Sequence, residues 1–252
     1  MKIVAVIPAR YKSSRFPGKP LADICGKPMI WWVYQQCLKV SDFNDVYVAT
    51  ESEEIDTVCK KLDMKCVMTS DAHPTGTDRV AEVAQKIPAD IYFIVMGDEP
   101  MLTAADEILL VDKIKNSPAA DAFMLVEKFN DPVDVVNTTT IKLALNDDGD
   151  LIFMSRAPIP YPKSVLGFNY YKNVGCYAMK KETLDFFLAN KPSNIERAEE
   201  IELLRLIEKH KIIKTAIIDS HPMSVDTPKD LERARHAIQS SLQKIGGGGD
   251  NR

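Results

Sequence analysis

The chain has 252 residues, of which 45% are apolar and 27% are charged. These proportions are typical of globular proteins and exclude the disordered, collagenous and fibrous classes. Because domains usually hold about 100 to 200 residues, the length favours one large domain or a core with one sizeable addition. Lys and Arg number 32 against 36 Asp and Glu, a formal charge of −4, which gives no electrostatic argument for a nucleic-acid or anionic-membrane partner.

The cysteines and the N-terminal segment favour a cytoplasmic protein. Five cysteines are scattered without a Cys-x-x-Cys pair, a usage that favours reduced, packed thiols over metal ligands. The apolar run at residues 3–8 is far shorter than the roughly 20 residues of a membrane span, and no signal-peptide cleavage site follows it. We therefore expect a first strand there, without export or membrane insertion.

In the first hundred residues, short runs rich in Val and Ile alternate with segments of helical period. Such alternation is typical of parallel strands that crossover helices cover on both faces. The expected strands cover residues 3–7, 46–50, 66–69 and 91–96, and the expected helices cover residues 28–40, 53–62 and 77–87. The predicted fold class is α/β, a doubly wound three-layer sheet of the Rossmann-like type.

The pattern changes after about Leu125. Apolar runs at 141–145 and 151–155 flank a turn-rich connection, which predicts an antiparallel hairpin. We expect residues 130–180 to form an elaboration packed on the sheet, within a single domain of residues 1–245. The remaining expected elements are strands at 174–179 and 212–218, helices at 181–189 and 198–209, a last helix from Thr227, and a flexible glycine-rich tail at 246–252.

A loop rich in cations follows the first strand. Arg10, Arg15 and Lys19 stand with two serines at the carboxyl end of that strand, where ligands of open α/β sheets bind. Their side chains can hold separate phosphate oxygens through charge-assisted hydrogen bonds. The loop therefore indicates a polyphosphate site, with a solvated basic loop as the alternative, and its spacing is not that of a P-loop.

Carboxylates stand at two other points of the chain. Asp98 and Glu99 follow the expected strand at 91–96, and Asp226 precedes the last helix. Mg²⁺ is usually held by one or two carboxylates together with substrate phosphates, so an Asp beside a cationic phosphate loop is a candidate ligand. The alternatives are a polar strand end that turns at Pro100 and ordinary capping of a helix.

Taken in order, several segments resemble one family. The opening from Ile7-Pro8-Ala9-Arg10 to Leu21 and the segment Gly26-Lys27-Pro28-Met29-Ile30 resemble the sugar-acid cytidylyltransferases, and closely those for 3-deoxy-manno-octulosonate (KDO). Further matches are Thr-Gly-Thr-Asp-Arg at 75–79, Gly-Asp-Glu-Pro at 97–100, Ser-Arg-Ala-Pro-Ile-Pro at 155–160 and Val-Asp-Thr-Pro at 225–228. The resemblance implies an enzyme that couples CTP to an acidic 2-keto-3-deoxy sugar, releases pyrophosphate and forms a homodimer.

The resemblance also implies roles for individual residues. The expected nucleotide contacts are Ala9, Arg10, Ser13, Arg15, Lys19, Thr75, Gly76, Asp78 and Arg79. Asp98 and Asp226 would ligate Mg²⁺, and with Lys19 they are the expected catalytic residues. The expected acceptor contacts are Met96, Arg156, Asn173, Tyr177, Glu202 and Leu203. Among these, Arg156 would pair with the acceptor's carboxylate.

The chain departs from the family's pattern at three positions. Met96 and Leu203 stand where the family usually has Gln, and Asn173 stands where it usually has His. All three would face the sugar, so the resemblance implies the activation chemistry more firmly than the acceptor. One hypothesis is a 2-keto-3-deoxy acid that is altered at a ring hydroxyl, and the alternative is neutral drift within a KDO enzyme.

Other readings of the sequence stay open. The acceptor could be an amino-substituted KDO or a sialic-like acid. From other classes, the chain could be a glycosyltransferase, although no Asp-x-Asp motif stands at a strand end, or a non-catalytic nucleotide-binding protein, against which both Asp98 and Asp226 argue. No general base is identifiable, and the histidines at 73, 210, 221 and 236 are expected at the solvated surface.

Overall fold

The computed structural model describes residues 1–12, 16–164 and 167–246. The expected nucleotide contacts Ser13 and Arg15 lie outside these residues, as does the expected tail after Gly246. In the described part of the chain, none of the helices is long and apolar enough to cross a membrane.

Strands and helices alternate through most of the described chain. The strands are β1 (Ile3–Ala9), β2 (Asp23–Ile24), β3 (Lys27–Pro28), β4 (Phe43–Thr50), β5 (Cys66–Met68), β6 (Ile91–Val95), β7 (Ala122–Lys128), β8 (Lys142–Leu145), β9 (Leu151–Ser155), β10 (Tyr171–Lys180) and β11 (Ile213–Ile218). The helices are α1 (Met29–Cys37), α2 (Glu53–Lys61), α3 (Gly76–Lys86), α4 (Ala104–Asn116), α5 (Lys181–Ala189), α6 (Asn194–Glu199), α7 (Leu204–Ile207) and α8 (Pro228–Gly246).

One large sheet organises the molecule. Its strand order is β11-β7-β10-β6-β1-β4-β5. β10 runs antiparallel to its neighbours β6 and β7, whereas the other adjacent pairs along this order are parallel. The hairpin of β8 and β9 joins the sheet through the start of β10. The expected α/β sheet with an antiparallel elaboration is therefore confirmed.

Helices cover both faces of this sheet. Every side chain of β1 is buried, and alternate side chains enter opposite hydrophobic layers, with Ile3, Ala5 and Ile7 in one and Val4 and Val6 in the other. Residues of α1, α2 and α4 pack in the first layer, and residues of α3, α5 and α7 pack in the second. Burial on both faces explains why this strand reads as a continuous apolar run.

Two parts of the chain differ from the pattern-based expectations. The single helix expected at 198–209 is wrong: α6 ends before Glu200, whose φ of 53° is left-handed, and α7 begins four residues later. The start of α6 is fixed by a capping box in which Ser193 and Glu196 each bond the other's backbone N–H. Periodicity gave no assignment to α4 or β7, although Thr103 and Asp106 form a capping box at the start of α4.

Candidate active site

Lys19 occupies the centre of a polar cluster at the carboxyl edge of the sheet. It opens a short 3₁₀-helix, Lys19–Leu21, directly after Gly18, whose φ of 70° suits glycine. Its Nζ lies 2.6 Å from Asp98 Oδ2, 2.8 Å from the Val225 carbonyl oxygen and 3.4 Å from Asp226 Oδ1. The fold thus brings the three expected catalytic residues together from distant parts of the chain.

The two carboxylates suit a hard cation. Asp98 and Asp226 each place a carboxylate oxygen within 3.4 Å of Lys19 Nζ. A hydrogen bond of 2.9 Å from Val225 N to the Asp98 carbonyl oxygen ties the two backbone segments together. Mg²⁺ is typically bound by one or two carboxylates, with substrate phosphates and water as its other ligands. The chemistry of this donor set therefore fits Mg²⁺.

A cavity of about 380 Å³ opens beside Lys19. The expected nucleotide contacts Ala9, Arg10, Thr75 and Gly76 line it. Among the described residues, Arg10 Nη2 is buried without a hydrogen-bond partner. An unsatisfied guanidinium nitrogen is costly to bury, so this atom is an available donor for an anionic group.

The other two expected nucleotide contacts support the cavity wall. Asp78 Oδ2 accepts a hydrogen bond of 2.6 Å from Thr75 Oγ1 at the start of α3. Arg79 is buried and its Nη2 forms an ion pair of 2.8 Å with Glu51 Oε2. Neither residue is part of the described cavity lining. Asp78 holds the Thr75 side chain in place, and Arg79 ties α3 to Glu51, directly after the end of β4.

A second, larger cavity of about 530 Å³ adjoins the first. Met96 and Asp98 line both cavities, whereas Asn173 and Asp226 line only the second among the described residues. Of the two expected metal ligands, Asp98 consequently stands where the two cavities meet, and Asp226 stands in the wall of the larger one. Two of the three positions that depart from the family's pattern, Met96 and Asn173, therefore lie in the cavity walls.

Tyr177 and Glu202 meet at the start of α3. Tyr177 Oη lies 3.1 Å from Thr77 Oγ1 and 3.9 Å from Met96 Sδ. Glu202 Oε2 accepts a hydrogen bond of 3.2 Å from Thr77 N, and this side chain lines the smaller cavity. Burial raises the pKa of the Glu202 carboxyl, and the hydrogen bonds with Thr77 partly oppose that rise.

Arg156 and Leu203 lie away from both described cavity linings. Arg156 Nε donates to the Glu199 carbonyl oxygen at 2.7 Å, and its two terminal nitrogens donate to the carbonyl oxygens of Thr138, Thr139 and Glu200. Leu203 is buried in the hydrophobic layer that contains α3 and α5. The guanidinium therefore ties loops together, and Leu203 contributes to packing.

Sequence reasoning gave no role to a charged cluster in the larger cavity. Glu127 Oε1 lies 2.6 Å from His221 Nδ1, and Glu127 Oε2 lies 3.0 Å from Lys172 Nζ. His73 likewise pairs with Glu82. His73 and His221 were expected to be solvated without partners, and the structure instead gives each of them a carboxylate partner. A glutamate inside the apolar run of β7 was the one signal that pointed to such a partner.

Comparison with known proteins identifies the family. The sequence profile described as Cytidylyltransferase matches residues 4–214, which is most of the chain. The chain belongs to the cytidylyltransferase family.

Several curated cytidylyltransferases are similar over nearly their whole length. The 3-deoxy-manno-octulosonate cytidylyltransferase of Escherichia coli is 38% identical over 241 residues, which cover 96% of this chain and 98% of that protein. The protein of the same name from Cytophaga hutchinsonii is 36% identical over 245 residues, with 94% and 97% covered.

Solved structures agree with this placement. A CMP:2-keto-3-deoxy-manno-octonic acid synthetase complexed with CTP superimposes with a TM-score of 0.92 at 38% identity, covering 96% of this chain and all 100% of that chain. A 4-diphosphocytidyl-2C-methyl-D-erythritol synthase from Anaerococcus prevotii superimposes with a TM-score of 0.64 at 13% identity, covering 94% of this chain and 99% of that chain. The second likeness is one of fold alone.

Proposed function

We propose that this cytidylyltransferase joins a hydroxyl of an acidic 2-keto-3-deoxy sugar, KDO or a close relative, to the α-phosphorus of CTP. The products are the CMP-sugar and pyrophosphate. The observation that carries the proposal is the pair of adjoining cavities, which share Met96 and Asp98 and meet beside Lys19. The similar proteins are named for this reaction, and one of them was solved with CTP.

The smaller cavity is assigned to the nucleotide. Arg10 supplies a guanidinium nitrogen without a hydrogen-bond partner among the described residues, and Lys19 supplies an ammonium. Both cations are placed to hold phosphate oxygens and to stabilise the charge that develops on pyrophosphate as it leaves. Positioning and electrostatics dominate this class of transfer, so the chain's main contribution is to hold the hydroxyl in line with the leaving group.

Asp98 and Asp226 are the residues that would hold Mg²⁺. When bound, the ion supplies positive charge to phosphoryl oxygens and lowers the pKa of a coordinated hydroxyl. Lys19 contacts both carboxylates in this structure. In the proposed complex, its ammonium donates some of its hydrogen bonds to the nucleotide phosphates instead.

The larger cavity is assigned to the acceptor. Met96 and Asn173 line it, which keeps open a sugar acid that is altered at a ring hydroxyl or carries an amino substituent. The glycosyltransferase and non-catalytic alternatives gain no support from the similar proteins, which are named as cytidylyltransferases.

A homodimer in the cytoplasm is part of the proposal. Val133, Val136 and Tyr161, all in the elaboration at 130–180, are 72%, 67% and 85% exposed. Exposed apolar side chains in one region of the chain are candidates for a protein contact, and sedimentation velocity measures the mass of the resulting assembly. The five free cysteines fit a reducing compartment.

The proposed function is tested by pyrophosphate release. The protein is incubated with Mg²⁺, one nucleoside triphosphate and one sugar acid from a panel of KDO, amino- and deoxy-substituted KDO and sialic acid. We expect release with CTP and a 2-keto-3-deoxy acid, weaker release with UTP, and little with ATP or GTP. Equal release with a purine triphosphate, or none with any acid of the panel, would contradict the proposal.

A further inference from the structure

The ends of three neighbouring strands bring one charged cluster into the larger cavity. Glu127, near the end of β7, is paired in register with Lys172 of β10 on one side and with Ile218 of β11 on the other. His221 follows the end of β11 by three residues. These charged side chains line the cavity that also contains Asp98 and Asp226.

Glu127 is the fixed point of this cluster. Its side chain is 3% exposed, with one oxygen 2.6 Å from His221 Nδ1 and the other 3.0 Å from Lys172 Nζ. A buried carboxylate is strongly destabilising unless both oxygens find partners. Because a carboxylate at that distance accepts a hydrogen bond from a ring N–H, we assign an N–H to Nδ1, and Glu127 thereby fixes the ring's orientation.

The backbone conformation of His221 also indicates a functional position. Its φ is 53°, which lies in the left-handed region that residues other than glycine adopt at a cost. Such positions persist where the surroundings determine them, and they concentrate at binding and active sites. Here the surroundings include Asn130, whose Nδ2 lies 3.1 Å from Nδ1 and 3.2 Å from Nε2 of the ring.

Nδ1 of the imidazole is thus held by buried Glu127, whereas Nε2 meets only Asn130 among the described residues, through a contact that is exposed at the cavity wall. A hydroxyl that binds Nε2 takes the place of Asn130 there. The His221 side chain is 46% exposed, so an incoming molecule can reach it. Asn173, where the resemblance implies a histidine, lies next to Lys172 and lines the same cavity. The chain therefore supplies an imidazole to this cavity from the end of β11, although β10 carries none at that position.

We propose that His221 contacts a hydroxyl of the acceptor and takes part in selecting it, with Glu127 as the positioning residue that orients the ring. This inference rests on the proposed function, because it assigns one recognition contact in the cavity given to the acceptor. It assigns His221 to substrate binding and not to the transfer of a proton.

The test replaces His221 by Gly, which adopts a left-handed φ without strain, and separately by Asn, which tolerates it. With CTP and KDO as probes, we expect the KM for KDO to rise about fivefold to tenfold, as for the loss of one hydrogen bond. We expect kcat and the KM for CTP to stay within about twofold. Glu127→Gln should raise the KM for KDO by less, because an amide can still hold the ring.

His210→Gly is the matched control. His210 is also exposed and has a φ of 57°, but it lies before β11, at the opposite end of that strand from His221. The control should leave both KM values unchanged, and thermal melting identifies any variant that fails to fold. Should the folded His221 variants keep the wild-type KM for KDO, or lose only kcat, the inference is wrong. A wild-type protein inactive with CTP and every acid would instead contradict the proposed function.

Discussion

At the scale of single residues, Lys19 links the two carboxylates on which the proposed metal site depends. Its side chain is 14% exposed and contacts Asp98 more closely than Asp226. Without Asp98 or Asp226, the Lys19 ammonium would lose one of its two carboxylate partners, and the proposed Mg²⁺ would lose a ligand. We therefore expect both residues to matter to phosphoryl transfer more than to the fold.

We expect Asp98→Asn and Asp226→Asn each to lower turnover by roughly a hundredfold or more, because both remove negative charge from the proposed Mg²⁺ site. Turnover is measured as pyrophosphate release over a range of Mg²⁺ concentrations. Asp230→Asn is a control, since Asp230 caps the start of α8 and has no hydrogen bond or ion pair to Lys19. Near wild-type turnover of Asp226→Asn at saturating Mg²⁺ would show that Asp226 is not a metal ligand and serves only at the start of the last helix.

The sequence allows the grouping of residues near strand ends to be anticipated, while their roles stay predictions. Lys19 and Asp98 follow β1 and β6, and parallel strands deliver their carboxyl ends to one edge. The surroundings of Arg156 and Leu203 could not be anticipated, because carbonyl groups from two separate loops surround the first and helix packing buries the second. The pairing of His221 depends on a strand neighbour about ninety residues away, which no local pattern reveals.

At the scale of elements, the loop after β6 is locked to β10 by one buried side chain. Glu99 Oε1 accepts a hydrogen bond of 3.0 Å from Gly175 N. Burial raises the pKa of Glu99 to about 8, and the nearby negative charge of Asp98 adds to the rise. A Cβ on Gly175 would come within 2.6 Å of Glu99 Oε1, so glycine is needed for the close approach of loop and strand.

We expect Gly175→Ala to lower the free energy of unfolding by about 1 to 3 kcal/mol, because Glu99 can move aside only by breaking its hydrogen bond with Gly175 N. Urea denaturation measures the change. Gly76→Ala is the control, since its Cβ would meet side-chain atoms of Pro8 and Met96 at 3.5 and 3.6 Å, an ordinary contact distance. Equal stability of the two variants would mean that Glu99 moves aside freely.

The elements themselves were predictable where burial is simple. β1 and β6 are apolar along their whole length because both faces are covered, and a continuous apolar run is the expected signal. The helix expected at 198–209 was wrong because its apolar spacing continues across Glu200, where the backbone turns to the left-handed region. Periodicity reports which residues are buried, and it does not report a local reversal of the chain.

At the scale of the whole molecule, one hydrophobic layer contains a buried carboxyl that lines neither of the two cavities described above. Glu107 of α4 is fully buried, and its Oε1 lies 3.4 Å from Cys37 Sγ of α1. Its Oε2 has no hydrogen-bond partner among the described residues. Burial raises the pKa of Glu107 to about 8, and the thiol hydrogen bond opposes that rise.

This carboxyl makes global stability depend on pH. The folded protein keeps its proton up to about pH 8, whereas the unfolded chain releases it near pH 4.3. Between these values the folded state binds more protons than the unfolded state. The contribution of protonated Glu107 to the free energy of unfolding is therefore complete at low pH and is lost as the pH rises through about 8. We expect the free energy of unfolding of Glu107→Gln to gain roughly 4 kcal/mol relative to wild type between pH 5 and pH 9.

Urea denaturation at both pH values measures this gain. Glu182→Gln, at an exposed position of α5, is the control and should follow the wild-type profile. Glu99 also has a raised pKa, so some dependence on pH remains in Glu107→Gln. Parallel profiles for wild type and Glu107→Gln would mean that Glu107 is ionised in the folded protein.

The reversed direction of β10 has a consequence for how acceptor preference can change. Lys172 and Asn173 of this strand line the larger cavity, and Tyr177 contacts the start of α3 beside the smaller one. One strand thus spans both binding regions, and its register against β7 shifts between Asn173 and Tyr177. An insertion or deletion in β10 would move both regions at once. In contrast, Glu127 at the end of β7 and His221 after β11 line the larger cavity and, among the described residues, do not line the smaller one. New acceptor preferences are therefore most accessible through changes at the ends of β7 and β11, which leave the spacing between the two substrates intact.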